Sequence, residues 1–166
     1  MTVTQTTLRR ATPGDEPFVR RVFVEATNAA LGAAGLPDGQ LTPLLGLQYD
    51  ARLAQWRAAY PSLVQHVLER NGEPVGACCL AQSADGDELR VVDLAVLPTY
   101  QRQGVARDAL RQVAARGLPV RLSVWQDDRA AQALYAGEGF RPDGAATPVN
   151  GYLELVLHAQ LADDEG

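Results

Sequence analysis

The most informative segment of this chain is Val91-Val92-Asp93-Leu94-Ala95-Val96-Leu97-Pro98-Thr99-Tyr100-Gln101-Arg102-Gln103-Gly104-Val105-Ala106-Arg107. Its first half is an apolar run that predicts a buried strand, Pro98 marks a turn, and the residues from Gly104 predict a helix. The first backbone N–H groups of a helix have no partners inside it and lie at the positive end of its dipole. Small residues there let a phosphate group reach the main chain, so the segment predicts an anion-binding turn.

The turn alone is also typical of an ordinary strand-to-helix connection in which glycine eases the geometry. It contains no Gly-Lys-Ser/Thr, which excludes a P-loop, and it lacks the three-glycine dinucleotide fingerprint. A second segment further along the chain is therefore needed. That segment is Asp128-Arg129-Ala130-Ala131-Gln132-Ala133-Leu134-Tyr135-Ala136-Gly137-Glu138-Gly139-Phe140.

Together the two segments resemble the GCN5-related N-acetyltransferase (GNAT) superfamily. The first hallmark of that family is a strand followed by Arg/Gln-x-x-Gly-x-Gly/Ala, matched here by Gln101, Gly104 and Ala106. The second hallmark is Asn-x-x-Ala-x-x-x-Tyr with a nearby Gly-Phe pair, matched here by Ala131, Tyr135, Gly139 and Phe140. The order and spacing of the two segments also agree with the family.

The resemblance implies that acetyl-CoA is a co-substrate and that its pantetheine arm lies between the buried strand and a neighbour that splays away from it. The residues whose backbone would pair with that arm are Leu94, Ala95 and Val96. The main-chain N–H groups that would hold the pyrophosphate belong to Arg102, Gln103, Gly104, Val105, Ala106 and Arg107. Where the family prefers Asn this chain has Asp128, which can still cap a helix but brings a negative charge towards an anionic ligand.

The resemblance also implies direct attack of a free amine on the thioester, with no covalent enzyme intermediate. Tyr135 matches the residue that donates a proton to the departing CoA thiolate, although an aromatic that only packs is the alternative. The amine must lose a proton, and Asp93 and Glu88 are the candidate carboxylates, with Asp93 preferred as the catalytic one. Their odd separation directs them to opposite faces of a regular strand, unless a bulge resets the alternation. Ser123 lies where ribosomal-alanine acetyltransferases carry a glutamate base, and a hydroxyl is a poor proton acceptor.

The remaining pattern predicts a mixed α/β fold, in which a mostly antiparallel sheet of about six or seven strands is flanked by about four helices. The predicted strands are residues 7–12, 63–69, 74–81, 89–97 and 120–125, followed by a closing pair from 140 and over 152–158. Four helices are predicted. The first begins at residue 13, and the others cover 44–60, 104–116 and 128–138. The Gly- and Pro-rich stretch Gly32–Pro43 predicts a mobile loop.

Composition narrows the class of protein. With 166 residues, of which 46% are hydrophobic, we expect one N-acetyltransferase domain over residues 1–166. Within it we expect an acyl-CoA-binding core at about 88–140, an acceptor-side region at about 13–61 and an acidic tail at 162–166. The net charge of −5 argues against a nucleic-acid partner. The sequence has no membrane-length apolar run and no secretion signal, so we expect no membrane partner and a cytoplasmic location.

The cysteine and histidine pattern does not indicate a metal site. The two cysteines, Cys78 and Cys79, are adjacent inside an apolar run and are interpreted as small buried residues. His66 and His158 lie on predicted strands without a ligand-spaced partner, so both are interpreted as structural.

The acceptor is not identified by the sequence. We expect the first two helices and the Gly32–Pro43 loop to hold it, with Tyr49, Trp56 and Tyr60 as candidate contacts, although the loop is equally typical of a tolerated insertion. The leading hypothesis is an acetyltransferase acting on a primary amine of a small molecule or a protein. The alternatives are a non-catalytic acyl-CoA-binding module, an acyltransferase that uses a longer acyl-CoA, for which Ala95 leaves room, and an interaction domain. A homodimer is compatible with the resemblance.

Overall fold

The computed structural model describes residues 5–31, 38–144 and 147–159. Among these residues, seven strands form one sheet in the order β1-β2-β3-β4-β5-β7-β6. The strands are β1 (Thr6–Arg10), β2 (Val64–Arg70), β3 (Glu73–Gln82), β4 (Leu89–Val96), β5 (Val120–Trp125), β6 (Arg141–Pro142) and β7 (Tyr152–Leu157). The helices are α1 (Glu16–Leu31), α2 (Asp38–Ala59), α3 (Val105–Ala114) and α4 (Arg129–Gly137).

The pairing of the strands confirms the predicted mixed, mostly antiparallel α/β fold. Strands β4 and β5 are the parallel pair, and the other neighbouring strands in the described sheet are antiparallel. A parallel pair needs a crossover connection because the chain must return to the same end of the sheet, and α3 supplies it. The segment from Val91 to Arg107 therefore contains the strand, the turn and the start of the helix that join the two halves of the sheet.

Two hydrophobic cores cover the two faces of the sheet. On one face, α3 packs its buried residues Val105, Ala109, Leu110 and Val113 against the strands. Their helical spacing puts them on a single stripe facing the sheet. Phe140, which follows α4 and is 2% exposed, completes this core. The other face is covered by α1 and α2, whose buried residues include Val19, Val22, Phe23, Tyr49 and Leu53. The side of the sheet covered by α3 and α4 is the α3–α4 face, and the side covered by α1 and α2 is the α1–α2 face.

One predicted boundary is wrong. Helix α2 begins at Asp38 and contains Pro43, whereas the sequence predicted a loop up to Pro43 and a helix from Leu44. Proline removes one backbone donor and crowds the preceding turn, which is why it predicts a helix start. The structure places it within the N-terminal part of α2, where only one intrahelical hydrogen bond is lost. Residues 32–37 of the predicted loop and the acidic tail at 162–166 lie outside the described residues.

Helix α1 begins at Glu16, three residues after the predicted start, because Pro13–Asp15 forms a separate 3-10 turn. The other elements differ from the prediction by one or two residues, except at the end of the chain. The closing pair consists of a two-residue β6 and the longer β7, so the strand predicted from Phe140 is much shorter than its partner. No helix in the described part of the chain is long and apolar enough to cross a membrane.

Candidate active site

A cleft opens between β4 and β5 because their parallel pairing stops early. The ladder joins Leu89 to Val120 and Arg90 to Arg121 and ends there, although both strands continue. On their other sides the strands stay paired, β4 with β3 up to Val96 and β5 with β7 up to Trp125. Within the described sheet, the backbone groups that face each other across the gap have no ladder partners. Buried backbone groups need partners, so the gap is suited to a ligand that can pair with a strand edge.

A β-bulge in β4 sets the direction of its side chains. Asp93 pairs with Cys79 and Val91 pairs with Leu80, which leaves Val92 as the extra residue. Beyond the bulge, Leu94 packs on the α3–α4 face and Ala95 on the α1–α2 face. Asp93, which alternates with Leu94, therefore faces the α1–α2 side.

Both predicted carboxylates consequently lie on the same face of the sheet. Leu89 packs on the α3–α4 face, so the adjacent Glu88 is directed to the α1–α2 side, like Asp93. Opposite faces were expected for a regular strand, and the bulge is the exception that resets the alternation. Glu88 lies at the closed end of the cleft and binds Arg121, with an Oε2 to Nε distance of 2.8 Å. The structure does not bring Glu88 to the open end, where Asp93 lies.

The environment of Asp93 weakens its acidity. Burial raises the pKa of the Asp93 carboxyl to about 6, while the positive charge of Arg52 on α2 and a hydrogen bond from the Leu94 N–H oppose the rise. The ordinary value for an aspartate is near 4, so Asp93 holds its proton about two pH units higher. A carboxylate with such a pKa is still mostly ionised at pH 7 and is a stronger base than an exposed aspartate.

The turn between β4 and α3 presents unpaired N–H groups. Arg102 and Gly104 have left-handed backbones, with φ of 63° and 81°, and together they reverse the chain into the helix. The first hydrogen bond of this turn of α3 runs from the Asp108 N–H to the Gly104 carbonyl, at 3.0 Å. The N–H groups of the residues between them therefore remain available at the positive end of the helix. This is the arrangement that binds a pyrophosphate.

Hydrogen bonds from elsewhere in the chain hold this turn in place. The Gln101 Nε2 donates to the Val96 carbonyl at 3.1 Å, and the Gln103 Nε2 donates to the Thr99 carbonyl at 3.0 Å. Arg70 of β2 donates to the Gln103 carbonyl at 2.9 Å and to the Asp108 carboxylate at 3.2 Å. The Gln103 side chain thus faces back into the turn, and only its backbone is available to a ligand.

A cavity of about 320 Å³ lies over the turn, on the α3–α4 face. It is lined by Val96, Tyr100, Gln101, Arg102, Gly104, Val105, Ala106, Arg107 and Leu134. Six of these residues are among the predicted cofactor-binding residues, and the structure brings them together. Leu94, Ala95 and Gln103 do not line the cavity. Arg102 and Arg107 are exposed and have no acidic partner in the described ranges, so their charges can add to the field of the helix.

Asp128 does not line this cavity. Its carboxylate accepts a hydrogen bond from the Ala131 N–H at 3.0 Å and thereby caps α4. The predicted capping role is confirmed, and the structure shows no contact between Asp128 and the turn that precedes α3. The carboxylate that replaces the family's usual asparagine therefore has a role within the helix that carries it.

Tyr135 projects from α4 into the core of the α3–α4 face. Its ring packs edge-on against Phe140, with centroids 5.8 Å apart. Burial raises the pKa of Tyr135 to about 12, and the negative charges of Asp128 and then Asp93 act in the same direction. The phenol is therefore protonated at neutral pH and can donate a hydrogen bond. Tyr135 lies on the α3–α4 face, on the opposite side of the sheet from Asp93.

Ser123 belongs to a polar cluster that sequence reasoning did not find. Its Oγ donates to the Glu154 carboxylate at 2.8 Å, since Ser123 and Glu154 are cross-strand neighbours. Arg90 of β4 forms an ion pair with the same carboxylate. Glu154 comes late in the chain, and only the β5–β7 pairing brings it beside Ser123. Ser123 and Glu154 are far apart in the sequence, and no local sequence pattern predicts that they pair.

The predicted acceptor contacts divide into core and surface residues. Tyr49 is 2% exposed and its hydroxyl accepts a hydrogen bond from Gln65 at 3.1 Å, so its predicted role as an acceptor contact is wrong. Trp56 packs beside the α1–α2 core and is half-buried. Arg52, which the sequence did not single out, lies exposed on α2 with its guanidinium carbon 5.7 Å from the centroid of the Phe23 ring.

The cysteines and histidines take no part in this site. Cys78 and Cys79 are buried, as predicted, and burial raises the pKa of the Cys79 thiol to about 12. Within the ranges that the structure describes, no three histidine, cysteine or carboxylate side chains come together as a set of metal ligands.

Comparison with known proteins agrees with this geometry. A sequence model of the acetyltransferase (GNAT) family matches residues 37–140, which include β4, the turn, α3 and α4. The chain therefore belongs to the acetyltransferase (GNAT) family, as the two sequence hallmarks predicted. A search of curated protein sequences found no significant match.

Solved structures share the fold over nearly the whole chain. An acetyltransferase from Thermus thermophilus is 24% identical with a TM-score of 0.67, covering 95% of this chain and 99% of its own. The ribosomal-protein-S18-alanine N-acetyltransferase from Escherichia coli is 20% identical with a TM-score of 0.63, covering 98% and 99%. A GNAT family acetyltransferase from Elizabethkingia anophelis with acetyl-CoA bound is 16% identical with a TM-score of 0.63, covering 93% and 98%. At these identities the likeness shows the fold alone.

Proposed function

We propose that this protein transfers the acetyl group of acetyl-CoA to a primary amine of a small molecule or a protein by direct attack of the amine on the thioester. The observation that carries the proposal is the cleft between β4 and β5, with unpaired N–H groups at one face and a weakly acidic carboxyl at the other. Family membership supports the acetyl transfer, and the bound acetyl-CoA in the Elizabethkingia anophelis protein supports the choice of co-substrate.

Acetyl-CoA enters from the α3–α4 face in this proposal. The backbone of Leu94, Ala95 and Val96 pairs with the pantetheine arm, because that edge of β4 has lost its neighbour. The pyrophosphate lies on the N–H groups between Arg102 and Arg107, where α3 begins. The Val96 carbonyl is already bound by Gln101, so the carbonyl is the least available of these backbone groups. Asp128 is left out of the contact because its carboxylate caps α4.

The amine enters from the α1–α2 face and meets Asp93. Asp93 accepts a proton from the ammonium group, directly or through water, and the neutral amine then attacks the thioester carbonyl. Its raised pKa favours this step, because a stronger base takes the proton more readily and is still ionised at pH 7. Arg52 limits how far that pKa rises, so it helps to keep Asp93 ionised at neutral pH.

Tyr135 acts on the leaving group from the opposite face. A phenol with a pKa of about 12 is a much weaker acid than a free thiol, whose pKa is about 8.5, so full proton transfer to the thiolate is uphill. A hydrogen bond to the sulfur as negative charge develops does not require that transfer. We therefore assign Tyr135 as a hydrogen-bond donor to the leaving thiolate.

An acceptor screen tests the function. The full chain is incubated with acetyl-CoA and a panel of small amines and of peptides with free N-termini or lysines, and released thiol is measured with product mass. The expected result is amine-dependent thiol release with an acetylated product, reduced in Asp93→Asn and unchanged in the exposed-turn control Asp85→Asn. If acetyl-CoA binds but no amine causes release of the CoA thiol, the protein is a non-catalytic acyl-CoA-binding module. If a longer acyl-CoA is turned over faster than acetyl-CoA, the preferred acyl donor is that longer acyl-CoA.

A further inference from the structure

A separate cavity of about 300 Å³ lies at the other end of α3. It is bounded by β1, β2, the end of β3, the start of β4 and the loop after α3, on the α3–α4 face of the sheet. Helix α3 has 10 residues, and at 1.5 Å per residue its two ends are about 15 Å apart. The cavity is therefore distinct from the cleft that receives acetyl-CoA, and a ligand bound in it would be independent of the proposed acetyl transfer.

His66 lines this cavity with an unsatisfied ring atom. It is 7% exposed, and its Nδ1 is buried without a hydrogen-bond partner among the described residues. The backbone carbonyls of Val64 and Cys78 lie near the ring and oppose the lowering of the His66 pKa, while Nδ1 has no hydrogen-bond partner among the described residues. Buried polar atoms in folded proteins nearly always have partners. Nδ1 thus has no partner among the described residues, and the His66 ring forms part of the wall of the cavity.

Two arginines line the same cavity. Arg10 is the cross-strand neighbour of His66, and Arg116 follows α3. Neither forms an ion pair within 4.0 Å in the parts of the chain that are described. Burial lowers the pKa of His66, and the positive charges of Arg116 and Arg10 lower it further. A basic residue after a helix is often explained by the helix dipole, which accounts for Arg116 but not for Arg10 on β1.

We infer that this cavity binds a small organic anion, with a carboxylate or phosphate group between Arg10 and Arg116 and an apolar part against Val64, Leu80 and Leu89. Guanidinium groups hold either anion through paired N–H donors. The anion supplies a negative charge that no described residue within 4.0 Å provides to the two arginines. It also favours the protonated form of His66, whose ring can then donate a hydrogen bond.

Proton NMR of the full chain tests the site directly. The chain has two histidines, so the Hε1 signal of buried His66 can be followed beside that of exposed His158 as an internal reference. The probes are isocaproate, inorganic phosphate and the neutral isocaproamide. We expect isocaproate to shift the His66 signal saturably and to raise the His66 pKa by about one unit, as a nearby opposite charge does. Isocaproamide should leave both signals unchanged.

Two arginine variants decide whether the cavity carries the binding. Arg10→Gln and Arg116→Gln should each weaken isocaproate binding about tenfold, because each removes hydrogen bonds to a charged group. Arg57→Gln, an exposed arginine on α2, should not change it. The inference is overturned if neither anion shifts His66, if the amide shifts it equally, or if both arginine variants bind as the native chain does. Equal affinity for phosphate and isocaproate would overturn the apolar part of the site.

Discussion

The cofactor side of the cleft is built from one contiguous segment of the chain, whereas the acceptor side is built from residues of separate segments. On the cofactor side, one contiguous segment supplies strand, turn and helix, and the proposed ligand contacts are backbone N–H groups. On the proposed acceptor side, the charge of Arg52 on α2, far away in sequence, acts on Asp93 of β4, and the proposed contacts are side chains. Contacts made by the backbone survive most side-chain substitutions, whereas an interaction between two side chains is lost when either of them is replaced. We therefore expect the cofactor side to fail through conformation and the acceptor side through charge.

The largest effect is expected at Asp93. Asp93→Asn keeps the shape of the side chain and removes the proton acceptor, so turnover should fall by about 10²–10⁴, the usual range for a general base. In the native enzyme, kcat/KM should rise with pH through an apparent pKa of about 6, since the deprotonated carboxylate is the active form. Initial rates of thiol release across pH measure both effects. Retention of that acidic limb in Asp93→Asn would assign the base to another group.

Tyr135→Phe tests the cofactor face with a side-chain change. The ring and its packing on Phe140 remain, so the acetyl-CoA affinity and the melting temperature should change little. Turnover should fall by about 10², the lower part of the range for acid catalysis, because the high pKa favours hydrogen bonding over full proton transfer.

Tyr49→Phe is the matched control for this change, since it also removes a hydroxyl from a tyrosine. That hydroxyl is bonded to Gln65 inside the α1–α2 core. The control variant should keep native turnover. Equal turnover for Tyr135→Phe and the native enzyme, with chemistry rate-limiting, would leave Tyr135 as a packing residue.

Gly104→Ala tests whether the cofactor side fails through backbone conformation. Gly104 has φ of 81°, and an added Cβ would lie 3.0 Å from an Arg107 nitrogen, beside the N–H groups that face the pyrophosphate. We expect acetyl-CoA affinity to fall by about tenfold and stability by about 1–2 kcal/mol, the cost of a left-handed alanine.

Gly117→Ala is the matched control at the other end of α3. Gly117 also has a left-handed backbone, with φ of 84°, but an added Cβ there meets no atom within 4 Å. Melting curves with and without acetyl-CoA should show a similar loss of stability in both variants and a smaller acetyl-CoA-induced shift in Gly104→Ala alone. The same ligand-induced shift in both would separate the turn from cofactor binding.

The smallest effect is expected at Arg52. Arg52→Gln removes the positive charge that lowers the pKa of Asp93, so that pKa should rise. The acidic limb of kcat/KM should then move to higher pH by about half a unit to one unit, which is typical for one exposed neighbouring charge. Arg57→Gln, on the same helix, should leave the limb in place. If the acidic limb of kcat/KM does not move in Arg52→Gln, the charge of Arg52 does not affect the pKa of Asp93.

Much of the fold was predictable because its signals are local. Apolar runs marked the strands, and Pro98 marked a turn that the structure contains. The start of α2 was not predictable, since a proline inside a helix has the same local signal as a proline before one. Within the site, the six cavity residues at the end of β4 and in the turn before α3 were found from one motif. Tyr49 was misassigned because an aromatic on a helix looks the same whether it faces the core or a ligand.

The amino-acid sequence was sufficient to establish the family, the turn before α3 and the helix that carries Tyr135, because each is encoded in a short segment whose conformation follows from its own residues. Tertiary structure was needed to place Asp93 on its face of the sheet, through the bulge at Val92, and to shift its pKa, through burial and Arg52. It was also needed for the pairing of Ser123 with Glu154 and for the meeting of Arg10, His66 and Arg116. Strand register and desolvation depend on the whole packed sheet, and no short segment contains that information.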